Sequence, residues 1–245
     1  MTIFELKCEA YLKENIELKD SFDILSKSIS GSISFNKKLD EVVKNSIKDY
    51  CFGNFYPIEK DRIYKKDKTY KFVIRSINKE LIDCLEFLLV KNINNNFLQV
   101  LNCEKKEIEQ FFISELYSAT PVIVSDRRDE KGKQLFWSLH YNGDMQTLQN
   151  RLHNNLEKKL RYFYSEELKE SKSFIQEIEL KNEKPQSIYF KTIKNKKEKI
   201  IRLIGNKLKI IPKRDETSQK LAFLSLAVGL GEKSGLGGGF CFGRG

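Results

Sequence analysis

Alternation opens the chain. Phe4, Leu6, Cys8, Ala10 and Leu12 occupy every second position, the period of a strand with one buried face. Helical spacing follows: Phe22, Leu25 and Ile29, with Ser21 placed to cap, predict a helix to about residue 30. A second helical piece is expected from Lys38 to Lys48. YCFGNFYP and TYKFVIRS then read as two strands joined by the charged turn EKDRIYKKDK. Asn78 caps KELIDCLEFLLV, a helix apolar on most faces and therefore expected to be buried. FLQVLNCEKKEIEQFF is a fourth strand running into a connection.

The pattern restarts after that. LYSATPVIVS predicts a strand with Pro121 near its start or on an edge, and FWSLHYNGD a hairpin-like piece. Asp144 caps a long helix from Met145 to Phe163, with Met145, Leu148, Leu152, Leu156, Leu160 and Phe163 as the inner stripe. On that helix Arg151, Lys158, Arg161 and His153 are expected to face solvent. Strands follow from FIQEIEL to SIYFKTI and in KIIRLIGNKLKII, the latter turning at Gly205-Asn206. Thr217 or Ser218 caps QKLAFLSLAV, and GGFCF is a short last strand. Each half thus reads strand, helix, strand, strand, helix, strand. The expected fold is α+β, two tandem ferredoxin-like (RRM-like, βαββαβ) domains at residues 1–112 and 113–245, the second carrying a glycine-rich loop.

Composition narrows the function. The net charge of +10 fits a polyanionic partner, because lysine and arginine near phosphates release counterions. It fits equally a solvated lysine-rich surface. Five scattered cysteines without a C-x-x-C pair argue against a zinc site or disulfide framework and suit a reducing cytoplasm. MTIFELKCEAYL alternates and carries acids, unlike a secretion signal, and no apolar run reaches the ~18 residues of a membrane span.

Residues 229–245, GLGEKSGLGGGFCFGRG, hold eight of the thirteen glycines. A dinucleotide-binding G-x-G-x-x-G follows a strand and opens a helix; here the order is reversed and the third glycine is missing. A P-loop needs Gly-Lys-Ser/Thr, whereas Glu232 precedes Lys233 and Ser234. Leu230, Leu236, Phe240 and Phe242 punctuate the stretch as anchors, which argues for order. The expectation is a helix-to-strand loop of bare backbone whose N–H groups form an anion nest around Lys233.

Gly229-Leu230-Gly231, then EKSGL, then Gly237-Gly238-Gly239 resembles the signature loop of the CRISPR-associated repeat-RNA endoribonucleases of the Cas six type, in the RAMP superfamily. ATPVIV, NNLEKKL and FYPIEKDRIYKKDKTYKFVIRS resemble that family's second-domain start, central helix and first-domain hairpin. The resemblance implies binding of CRISPR repeat RNA and cleavage without a metal or organic cofactor. The ribose 2′-hydroxyl attacks the adjacent phosphate and leaves a 2′,3′-cyclic phosphate. It also implies subunits of an effector complex as partners, in the cytoplasm and away from membranes; a homodimer stays open.

The family's usual first-domain histidine, often with a lysine six residues later, falls on Val42 or Val43 in DEVVKNSIKDYCFGNFYP, while Lys48 and Tyr50 are in place. Valine moves no proton. Lys48 and Tyr50 are therefore the catalytic candidates, with His140 as a third. Gly229, Gly231, Lys233, Ser234, Gly237 and Gly239, with Arg151, Lys158 and Arg161, are the candidate RNA contacts. Two outcomes stay open: an endoribonuclease, or a subunit that binds and delivers the RNA uncut.

Overall fold

A computed structural model describes residues 1–245 apart from 37–38, 40–44, 46, 142, 169–172 and 195–196. The first sheet takes β1 (Thr2–Leu12), β3 (Tyr50–Phe52), β5 (Thr69–Ser76) and β6 (Leu98–Glu109) in the order β3-β5-β1-β6, all antiparallel. Helices α1 (Leu18–Ser34) and α2 (Lys79–Asn92) supply its other layer. The second sheet takes β7 (Glu115–Ser118), β10 (Ile175–Leu180), β13 (Leu208–Pro212) and β14 (Cys241–Arg244) in the order β10-β13-β7-β14, with α3 (Met145–Tyr164) and α4 (Glu216–Val228). Counted along each half, both orders are 2-3-1-4, the ferredoxin-like arrangement, present in tandem. Three small pairs are added: β2 (Ile16–Glu17) with β4 (Ile63–Tyr64), β8 (Ser125–Arg128) with β9 (Gln134–Phe136), and β11 (Gln186–Lys194) with β12 (Lys197–Gly205).

Local chemistry accounts for most element ends. The side-chain oxygen of Asn78 accepts the Leu81 N–H at 3.2 Å, and that of Asp144 accepts the Thr147 N–H at 2.7 Å, each satisfying a helix-start amide that has no intrahelical partner. Leu148, Leu152, Leu156 and Leu160 are buried along α3. Two helix starts and one buried face differ from expectation. α1 begins three residues before Ser21, whose hydroxyl donates to the Leu18 carbonyl at 2.8 Å, because half-buried Leu18 also packs on the core. Asp215 caps α4, taking both the N–H and the hydroxyl of Ser218. α2 is buried on one side only: Leu81, Ile82, Leu85 and Leu89 point inward while Phe87 and Val90 are exposed. The helical piece expected from Lys38 to Lys48 lies mostly outside the described residues.

The largest departure is in the second half. Between residues 175 and 212 only the first and last strands, β10 and β13, join the sheet. β11 and β12 form a separate ribbon that reaches back to α1, and its Ile188, Phe190 and Leu203 are buried in the core of the first half. Strand-period alternation cannot show this, because it reports that a face is buried and not against what.

The two halves are also joined through α4, apolar on almost every side and in contact with β1, β3 and β5 as well as β13 and β14. Beside it, Arg75 of β5 is buried. It donates Nε to Glu5 at 2.7 Å and Nη1 to the Cys241 carbonyl at 2.7 Å, and its guanidinium lies 4.9 Å and 5.2 Å from the rings of Phe240 and Phe242. No helix among the described residues is long and apolar enough to cross a membrane.

Candidate functional site

α4 ends at Val228, and the glycine stretch carries the chain back to β14. It is ordered by its own backbone. The N–H of Gly229 bonds to the Ser225 carbonyl, Leu230 to Gly239, Glu232 to Ile123, Leu236 to Lys233, Gly237 to Ser234, Gly238 to Lys233 and Gly239 to Pro121. Among the described residues, the amides of Gly231, Lys233, Ser234 and Gly235 have no such bond. The expected ribbon of free amides is therefore a short stretch, and most of the loop's donors face protein.

The glycines themselves have internal reasons. Gly239 has φ +70°, and a Cβ there would stand 1.9 Å from the Leu230 carbonyl oxygen; at Gly237, φ +81°, it would stand 2.5 Å from the Phe22 ring. Both residues are buried, as are Gly229, Gly231 and Ser234, whereas Lys233 is exposed with φ 63°. The glycines shape and seat the loop, and its exposed chemistry is Lys233; Ser234 and Gly235 are buried beside it.

Side chains from three elements hold the loop from outside. The Glu232 carboxylate accepts the Ser125 N–H at 3.0 Å and its hydroxyl at 2.6 Å. Ser26 of α1 donates its hydroxyl to the Gly235 carbonyl at 3.0 Å. Lys159 of α3, almost fully buried, donates to the carbonyls of Val228 (3.1 Å), Gly229 (2.8 Å) and Gly231 (2.8 Å). Burial pulls its pKa down to about 8.

This loop forms one wall of a cleft of about 610 Å³ between the halves. Ser26 and Ser30 of α1, Asn45, Ile47, Lys48 and Tyr50 line the first-half side; Asn155, Lys158 and Lys159 line the α3 side; residues 231–236 close it. Lys48 donates Nζ to the Asn45 carbonyl at 2.6 Å, and partial burial lowers its pKa. Tyr50 is buried, which raises its pKa and keeps the phenol neutral and able to donate a hydrogen bond. The Asn155 side-chain oxygen is buried and has no hydrogen-bond partner among the described residues. A second cleft of about 620 Å³ lies on the far side of α1, but Glu17, Asp20 and Asp23 outnumber Lys27 and Lys191 in its walls, the wrong sign for a polyanion.

Of the residues singled out in the sequence, Lys48, Tyr50, Lys158, Gly231, Lys233 and Ser234 meet in the cleft, with Gly229, Gly237 and Gly239 in the packed base of the loop. Arg151 and Arg161 do not line it. Arg151 instead donates to the Ser125 and Asp126 carbonyls at 2.7 and 3.1 Å, and exposed Arg161 lies 3.5 Å from both Glu157 and Glu167. His140 sits in a short turn after β9, its ring 5.0 Å from that of Tyr141, and is absent from the cleft lining. His153 is buried, contrary to its expected exposure: Nδ1 accepts the Phe174 N–H at 3.3 Å, the ring stacks on Phe174, and burial lowers its pKa. The flank of the leucine stripe is covered by the chain entering β10. Val42 and Val43 lie outside the described residues. No cluster of His, Cys, Asp or Glu suited to a metal occurs among the described residues.

Lys159 and Asn155 went unnoticed in the sequence. Their signal was the spacing Arg151-x3-Asn155-x3-Lys159, a polar stripe running beside the Leu152-Leu156-Leu160 stripe and therefore turned toward a buried neighbour.

A family model described as CRISPR associated protein Cas6, C-terminal, matches residues 103–242. Solved structures share the fold along the whole chain. One titled "CRISPR associated protein Cas6" is 20% identical with a TM-score of 0.70, covering 99% of this chain and 100% of its own. "An RAMP protein binding different RNA substrates" is 14% identical with a TM-score of 0.73, covering 99% and 100%. A Cas6-related protein of Pyrococcus furiosus is 17% identical with a TM-score of 0.71, covering 99% and 98%. None of the curated proteins compared matches the chain.

Proposed function

The chain belongs to the Cas6 family of CRISPR-associated proteins, and from that premise we propose that it is an endoribonuclease that grips the repeat of a CRISPR transcript in the cleft and cuts it without a metal ion. The observation that carries this reading is the convergence of Lys48, Tyr50, Lys158 and Lys233 on loop residues 233–235, whose amides bond to no backbone carbonyl among the described residues. Four lysines, Lys159 included, border a space in which Glu232 is the lining carboxylate among the described residues, and that carboxylate is turned onto Ser125.

Cleavage by the ribose 2′-hydroxyl needs three services: removal of its proton, stabilisation of the phosphorane and protonation of the leaving 5′-oxygen. Lys233 and the amides of Ser234 and Gly235 supply positive charge to the non-bridging oxygens. Lys48, whose pKa burial lowers, is the proton-transferring candidate. Neutral Tyr50 donates a hydrogen bond that orients the attacking ribose or the phosphate. Part of the rate then comes from alignment of the 2′-hydroxyl with the scissile bond. The RNA is gripped mainly through its backbone, and the repeat's fold supplies the shape that is read.

One observation favours a second reading. Neither histidine of the chain belongs to the described lining of the cleft, so the protein has a route to being a binding subunit that delivers guide RNA to an effector complex. Incubation of the cognate repeat RNA with purified protein in EDTA separates the two. A product ending in a 2′,3′-cyclic phosphate establishes the nuclease. RNA bound and intact after long incubation establishes the binding subunit, and RNA left unbound overturns both.

A further inference from the structure

Lys159 lines the cleft, yet the proposed chemistry gives it no task. Lys159 is almost fully buried, and a buried ammonium is costly unless each proton has an acceptor. Here each has one: the carbonyls of Val228, Gly229 and Gly231 lie at 3.1, 2.8 and 2.8 Å. Val228 closes α4. Its carbonyl belongs to the group that a helix end leaves without partners, where a cation is favoured.

The three bonds decide how the loop is turned. A carbonyl drawn to one side sends the next N–H to the other. With the Gly229 and Gly231 carbonyls on Lys159, the Leu230 and Glu232 amides point away, onto the carbonyls of Gly239 and Ile123. α3 also holds Ser125, the residue on which the loop's Glu232 is anchored, two helical turns earlier. Arg151 holds the Ser125 carbonyl from one side, and Glu232 holds the Ser125 N–H and hydroxyl from the other. Two long-range clamps from one rigid helix thus fix the loop's first half, ahead of Lys233.

We propose that Lys159 is the positioning residue of the glycine loop, setting from α3 the orientation in which Lys233 and the amides of Ser234 and Gly235 meet the RNA phosphate. The proposal rests on the RNA reading for its ligand and on the loop's own hydrogen bonds for its mechanism, so the two are tested separately.

Lys159→Met removes the ammonium and keeps the length of the side chain. Amide hydrogen exchange on the folded variant is the first readout. Exchange at Leu230, Glu232 and Gly239 rises about tenfold or more, while β1 and β5 keep their protection. The second readout is affinity for the cognate repeat RNA well below the melting temperature, which falls about tenfold or more, as expected when oriented donors are lost. Lys159→Gln, which keeps two N–H donors, covers a Met variant that does not fold and gives smaller changes in the same direction. Unchanged loop exchange in a folded variant overturns the proposal. So does faster loop exchange with unaltered RNA affinity, because the lysine is then only a structural tie. Wild-type protein that binds no repeat RNA overturns the reading of the cleft, and the exchange result alone then decides the role of Lys159.

Discussion

Gly239→Ala adds one methyl group at the most confined point of the loop. Its Cβ would stand 1.9 Å from the Leu230 carbonyl oxygen and 2.8 Å from the carbonyl carbon, at a backbone φ of +70°. Holding an L-residue in the left-handed region costs about 1–2 kcal/mol. The clash is with backbone, so it is relieved only by displacing the strand of loop that Gly239 pairs with. That breaks the bonds from Leu230 N–H to Gly239 and from Gly239 N–H to Pro121, both 2.9 Å, at about 1 kcal/mol each. The sum, about 3–4 kcal/mol, lowers the melting temperature of a chain this size by about 10 °C. Gly31→Ala is the control. Gly31 lies within α1 with nothing inside 4 Å of an added Cβ, so alanine gains about 0.5–1 kcal/mol of helix propensity and raises the melting temperature by about 2 °C. Thermal unfolding followed by circular dichroism measures both. If Gly239→Ala melts within about 2 °C of the wild type, or if the two alanines destabilise equally, the loop is not the packed element described above.

Lys233→Ala separates contact from scaffold: the melting temperature stays the same, while the slope of log affinity for repeat RNA against log salt becomes shallower by about one, the loss of one phosphate contact. Glu5→Leu strands the buried Arg75 guanidinium and costs about 3 kcal/mol in chemical denaturation; the double variant Glu5→Leu/Arg75→Met recovers part of that loss, and no recovery would show that the pair is not coupled. Val42→His, at the position where the family's histidine is expected, raises the single-turnover cleavage rate in EDTA; no gain there or at Val43 means that proton transfer is handled by another group.

Local rules carried the fold a long way. Asn78 and Asp144 announced two helix starts, the leucines of residues 148–160 announced a buried stripe, and the repeated strand-helix order announced two equivalent sheets. Lys48 and Tyr50, singled out through the family resemblance, and Lys233, singled out at the centre of the glycine stretch, all line the cleft. Reading failed where the deciding partner is distant in sequence. His153 looks like a surface residue until the backbone of Phe174 arrives beside it. Lys159 is indistinguishable in composition from Lys158, yet one turns into the loop and the other stays in solvent. The glycines announced close approach correctly, but the surface approached is mostly the protein's own.

The ribbon of β11 and β12 has a consequence for the order in which the molecule is made. Ile188, Phe190 and Leu203 complete the core around α1, yet the ribosome adds them long after β6 has been synthesised. A domain that folds as it emerges normally closes before the next one follows. Here the early half waits with an open apolar flank, and nascent chains stalled before residue 186 should recruit holdase chaperones that longer chains release.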